Sequence, residues 1–197
     1  MFAKPFLRRT VIATALSSSV LIAFWGVTSW LPAFLATPLA KGGAGLTVTT
    51  SARWLIALQA GAFFGYISFG WIADRIGRRP AFTAFMIAAT ILVPLFAFYA
   101  RTPILLLTLG PLLGFFAHGY FSLFGAMLAE LFPTRIRAGA QGFCYNGGRL
   151  ASAAAPFAIG FASKTYNFAV VITCAALFFA VGGVLVWLLP ETKGTEL

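Results

Sequence analysis

Apolar runs long enough to cross a bilayer follow one another six times along this 197-residue chain and leave little between them. A spanning helix needs about 20 mostly apolar residues. The runs at 10–35, 53–73, 80–100, 103–131, 138–162 and 166–189 all reach that length. Inside lipid every backbone N–H and C=O must find a partner within the protein, so runs of this kind fold as helices. The expectation is an all-α integral membrane protein, one six-span domain over residues 1–197.

Charge supports this. Only 9% of the residues are charged, against about 25% in soluble domains. The net charge of +10 would suggest nucleic acid in a soluble protein. Here the basic residues gather at the span ends, which points to orientation in a bilayer and not to a nucleic-acid partner. Lys4, Arg8, Arg9, Arg75, Arg78, Arg79, Arg135, Arg137 and Lys193 fall on one side, and Lys41, Arg53, Arg101 and Lys164 on the other. The excess predicts a multi-pass protein of the inner or plasma membrane with both termini cytoplasmic. The basic start resembles a signal peptide, but the apolar run behind it is far longer than the usual 7–15 residues and reads as a span. Cys144 and Cys174 lie in different spans without a Cys/His cluster, so no metal, disulfide or cofactor is expected.

The spans differ in polarity. The third and sixth are apolar nearly all round. On the first, Thr14, Ser17, Ser18, Trp25 and Thr28 share an arc of roughly 100°. On the fifth, Gln141, Tyr145, Asn146, Arg149 and Ser152 share about 140°. Lipid cannot satisfy such stripes, so they face protein or water. A polarity pattern that repeats every three helices fits two inverted three-helix repeats, although no sequence repeat accompanies it. Gly61-x-x-x-Gly65 and Gly110-x-x-x-Gly114 have the spacing of close helix contacts.

Arg149 stands roughly 16 Å into its span, near the middle of a ~30 Å core. A charge there is costly and marks function. Its planar fork suits a carboxylate, so Arg149, Asn146, Tyr145, Gln141 and Trp25 are the candidate binding residues for a small anionic substrate. The alternative is a structural tie to backbone carbonyls. His118, the chain's one histidine, lies at similar depth and is the candidate for proton coupling. The bland reading is a hydrogen-bonded interior histidine.

Three short motifs carry a resemblance. The second connector reads Gly70-Trp71-Ile72-Ala73-Asp74-Arg75-Ile76-Gly77-Arg78-Arg79, the fourth Glu130-Leu131-Phe132-Pro133-Thr134-Arg135-Ile136-Arg137, and the end of the chain contains Pro190-Glu191-Thr192-Lys193-Gly194. Together they resemble the major facilitator superfamily of transporters, and the tail resembles the C-terminal half of sugar-porter-like members. The resemblance implies half of a major facilitator fold that needs an N-terminal six-helix half. It also implies a cytoplasmic gating motif of Gly70, Asp74, Arg75, Gly77, Arg78, Arg79, Glu130 and Arg137. Asp74 and Glu130 each close a helix C-terminus, where the macrodipole opposes negative charge, so they need basic neighbours. The run Gly142-Phe143-x-Tyr145-Asn146-x-Gly148-Arg149 looks like the metabolite–proton symporter branch, and the first helix lacks the Gln-Gln-x-x-Gly-x-Asn pattern of sugar porters.

The leading expectation is a secondary transporter half, a proton-coupled symporter of a small organic anion working by alternating access. The alternatives are a non-transporting membrane scaffold or regulator and a carrier of a neutral sugar-like solute. Without an acid pair, HExxH, Gly-x-Ser-x-Gly or a phosphate loop, an enzyme or an ATP-driven pump is not expected.

Overall fold

The computed structural model describes residues 1–194. Among them all regular structure is helical: α1 (Lys4–Ala36), α2 (Val48–Ile76), α3 (Arg78–Tyr99), α4 (Pro103–Gly119), α5 (Phe121–Glu130), α6 (Arg137–Ser152), α7 (Ala155–Ala162) and α8 (Phe168–Leu185). Local chemistry sets the ends. Pro5 in the first turn of α1 has no N–H to leave unpaired there, and the helix starts six residues before the apolar run. The Thr47 hydroxyl accepts the Thr50 N–H at 3.2 Å and opens α2, and the Asn167 side chain does the same for α8 through the Ala169 N–H at 3.0 Å. Gly77 alone separates α2 from α3. Its φ of +103° belongs to glycine, so the reversal at this connector depends on it.

Among the described residues, five helical segments are long and apolar enough to cross a membrane: α1, α2, α3, Pro103–Glu130 and Phe168–Leu188. The run at 138–162 is the exception. It breaks at Ala153–Ala154 into α6 and α7, because Pro156 supplies no N–H to the preceding turn and its ring crowds that turn. Pro32, Pro94 and Pro111 sit inside helices that continue through them. The run at 103–131 likewise divides at Tyr120, a fully buried side chain stacked on Phe121 at 4.4 Å and edge-on to Phe82 at 5.5 Å.

Numbered as six spans, with α4–α5 as the fourth and α6–α7 as the fifth, the helices pack first on fifth, second on fourth, third on sixth, first on sixth and third on fourth. Exchanging the first three spans with the last three returns the same set of pairs. That is the architecture of two inverted three-helix repeats. The third and sixth spans, apolar on nearly every side, lie against each other.

Between membrane helices, water supplies no hydrophobic drive and close packing must serve. Glycines permit it at two crossings. A Cβ on Gly61 or Gly65 would overlap the Pro111 or Phe115 carbonyl of α4, and one on Gly114 the Leu58 carbonyl of α2. On the other crossing, a Cβ at Gly148 would meet Ser17 at 2.6 Å. Gly110 is different, because its nearest neighbour is Phe96 of α3 at 3.9 Å.

Candidate functional site

Both described chain ends and the connectors after α2 and α5 share one end of the bundle. Arg9 of α1 donates to the Leu131 carbonyl beyond α5 at 3.1 Å, and Lys193 donates to the Arg75 carbonyl at 2.7 Å. Arg78 is the hub. It ion-pairs with Asp74 one turn earlier and with Glu130 of α5 at 3.5 Å. Glu130, largely buried, also accepts the Thr192 hydroxyl. Glu191 adds a tie of a different kind. Its carboxylate accepts the Arg78 and Arg79 backbone N–H groups at 2.9 and 3.0 Å, capping the first turn of α3 from 113 residues away. Partial burial pushes the Glu191 carboxyl up, but the N–H donors of Arg79, Lys193, Arg78 and Thr192 outweigh it and hold the group below its ordinary value.

The other basic residues of the predicted motif have different partners. Arg75 stacks over Trp71 with 3.8 Å to the ring centre, and Arg79 lies 5.9 Å over Trp187. Arg137 donates to the Phe132 carbonyl and the Thr134 hydroxyl of its own loop. Gly70 lies against Leu123 of α5. The structure therefore gathers Asp74, Arg78 and Glu130 with the tail residues Glu191 and Thr192. Sequence reasoning missed the roles of Glu191 and Thr192, although scarcity of acids was a usable signal: Glu191 is one of only four acidic residues in the sequence.

At mid-depth the face built from α1, α2, the α4–α5 span and α6 is concave. One cavity there, about 660 Å³, is lined by Leu21, Phe24, Trp25, Tyr66, Phe121 and Tyr145. A neighbouring groove of about 910 Å³ carries Trp25, Thr28, Gln59, Tyr66 and His118. A third, about 410 Å³, is formed by Trp25, Arg149, Ser152, Ala153 and Pro156. Trp25 is common to all three. Phe24 packs edge-on to Trp25, His118 and Phe121 with centroids 5.4, 4.9 and 4.6 Å apart. His118 is buried, with one side on the groove.

Arg149 is exposed on this face, and the α6 break follows it closely. Among the described residues both ion pairs involve Arg78, so Arg149 has no carboxylate partner of its own there. Asn146 spends its amide N–H on the Gly142 carbonyl at 2.8 Å. Gln141 lies against Gly125 of α5. Of the five binding candidates, Trp25, Tyr145 and Arg149 line the cavities of this face, and Asn146 and Gln141 are not among their lining residues. Gln59 and Tyr66, polar positions in the middle of α2, were legible in principle as interruptions of an apolar run. Phe24 and Phe121 gave no signal among so many phenylalanines.

A bundle of inverted helix triplets with an open polar–aromatic face and a charged end is the architecture of one half of a membrane carrier. The chain belongs to the Major Facilitator Superfamily, whose family description matches residues 14–196. A Haemophilus influenzae protein named for metabolite transport is 34% identical over 175 residues, 88% of this chain and 42% of its own length. The cis,cis-muconate transport protein of Acinetobacter baylyi is 32% identical, covering 78% of this chain and 36% of its own. The niacin transporter of the same organism is 27% identical, over 98% of this chain and 43% of its own. The chain thus spans under half the length of these curated relatives. Among solved structures, the peptide transporter PepTSo superposes with a TM-score of 0.78 over 96% of this chain and 39% of its own, at 18% identity, a likeness of fold.

Proposed function

We propose that this chain is the C-terminal six-helix half of a secondary carrier that moves a small organic anion by alternating access, in symport with protons. Arg149 carries the reading: an exposed guanidinium, roughly 18 Å along α6 from Arg137 by helical rise, opening on a cavity with no acidic partner among the described residues. A charge at that depth is too costly to persist without a function. Its planar fork matches a carboxylate, and the relatives' names include muconate and niacin, both carboxylic acids. His118, on the adjoining groove, takes the coupled proton. The Asp74–Arg78–Glu130 cluster ties helix ends together in one state and parts when the two halves rock.

Binding of radiolabelled niacin and cis,cis-muconate to membranes containing the chain tests the anion site. Arg149→Lys keeps the charge and loses the fork, and should weaken binding about tenfold; Arg149→Gln should weaken it further. Unchanged affinity in both variants, at equal membrane levels, overturns the anion site. Uptake restored only when a six-span N-terminal half is co-produced supports the carrier reading. Absence of uptake in both cases, with normal insertion, favours a scaffold.

The same reading puts the charged end in the cytoplasm. With Cys144 and Cys174 replaced, a membrane-impermeant thiol reagent applied outside should label a cysteine at Gly43 and spare one at Gly77. The opposite pattern inverts the topology.

A further inference from the structure

Trp25 belongs to three cavities on the concave face, and this position has a consequence for selectivity. It lines the Arg149 cavity with Ser152 and Pro156. It also lines a cavity whose remaining walls are rings and one leucine: Phe24, Phe121, Tyr66 from α2 and Tyr145 from α6. Phe24 and Phe121 hold each other edge-on at 4.6 Å, and Phe24 buttresses Trp25 at 5.4 Å. Those contacts fix one wall. Trp25 and Tyr66 each leave about two-fifths of their surface open to the cavities, 41% and 40%. A cationic fork and a ring-lined slot therefore meet at one indole.

We infer that Trp25 is a specificity-determining residue, dividing the site into a carboxylate subsite at Arg149 and a flat-ring subsite bounded by Tyr66, Phe121 and Tyr145, so that the favoured solute is a planar conjugated ring bearing one carboxylate. This rests on the anion site proposed for Arg149 and adds the shape of the remainder of the solute. Aromatic faces reward offset-stacked or edge-on rings at centroid separations of about 4.5–7 Å. A puckered ring of the same charge and size presents axial hydrogens and cannot lie flat between such walls. Discrimination then comes from ring geometry, since both solutes offer Arg149 the same group.

Benzoate and cyclohexanecarboxylate form the matched pair that tests this, with glucose as a neutral ring. Equilibrium binding of each is measured on membranes containing the full chain. Benzoate should bind about fivefold tighter than cyclohexanecarboxylate. Trp25→Leu should weaken benzoate about fivefold and cyclohexanecarboxylate less, so that the preference is lost, Trp25→Phe should retain most of it, and Arg149→Gln should weaken both acids alike. Since Trp25 is part-exposed, its variants keep the packed core intact, which equal thermal stability would verify. Equal affinity for the two acids, both lost in Arg149→Gln, overturns the ring subsite and leaves the anion site standing. A preference that survives Trp25→Leu overturns the role of Trp25. Glucose binding with no benzoate binding overturns both. A Trp25-dependent preference unaffected by Arg149→Gln supports the ring subsite and sinks the anion site alone.

Discussion

Gly61→Leu is expected to abolish the folded bundle, while Gly110→Ala leaves it intact. Both glycines belong to motifs of the same spacing, on neighbouring helices. They differ in what stands opposite. A side chain at Gly61 runs into the Pro111 carbonyl, which is backbone and cannot rotate away. The second and fourth spans would have to separate along their length, and Gly65 and Gly114 would lose their contacts too. In a bilayer nothing else drives that crossing together. The expected cost exceeds about 4 kcal/mol, the range reserved for backbone clashes and ruined cores. At Gly110 a methyl group meets only Phe96 at 3.9 Å, an ordinary contact. Size-exclusion profiles of solubilised protein should show a symmetric peak for Gly110→Ala and aggregate for Gly61→Leu. A symmetric, heat-stable peak for Gly61→Leu would refute the crossing.

Arg78→Gln should destabilise far more than Asp74→Asn, though the two residues form one ion pair. The Asp74 side chain is 66% exposed, so water can replace its partner; the expected loss is under about 1 kcal/mol. Glu130 is 10% exposed, and Arg78 is its cationic partner. Removing that guanidinium leaves the carboxylate, among the described residues, with the Thr192 hydroxyl as a hydrogen-bond donor and without its cation. Breaking a largely buried pair from one side costs roughly 2–3 kcal/mol once residual solvent is allowed for. Thermal melting in detergent at neutral pH separates the cases, and Glu130→Gln in the Arg78→Gln background should recover part of the loss. Equal melting temperatures for the two single variants would show that Glu130 does not depend on Arg78.

The helical class and the positions of the apolar runs were legible because lipid imposes one rule: satisfy the backbone internally. The break at Ala153–Ala154 was half legible. A proline disfavours the helical turn before it, yet Pro156 breaks its run while Pro32 and Pro94 are absorbed by theirs, and nothing in the sequence separates the three. At the charged end, local charge pattern identified Asp74, Arg78 and Glu130, whereas Glu191 reaches its partners across 113 residues, a pairing that only the tertiary fold creates. The open face was legible where a polar residue interrupts an apolar run, as with Trp25 and Arg149. It was silent for Phe24 and Phe121, whose composition is that of lipid-facing positions and whose role follows from which helix they meet. Helical arcs placed Asn146 on the same side of the helix as Arg149, yet an arc says nothing about whether an amide N–H is already given to its own helix, as that of Asn146 is to the Gly142 carbonyl.

The exchange symmetry of the packing has a further meaning. A scaffold whose neighbour relations survive swapping its two triplets has a counterpart for every helix crossing, so packing alone does not tell one mouth of the bundle from the other. What tells them apart is whatever violates the swap. The described carboxylates do so, with Asp74, Glu130 and Glu191 crowded at one mouth, while the other is folded over through the contact of Gly42 with Asn167. The difference between the two ends is thus a property of the trim, and a few ionic substitutions could even it out without redrawing a single helix.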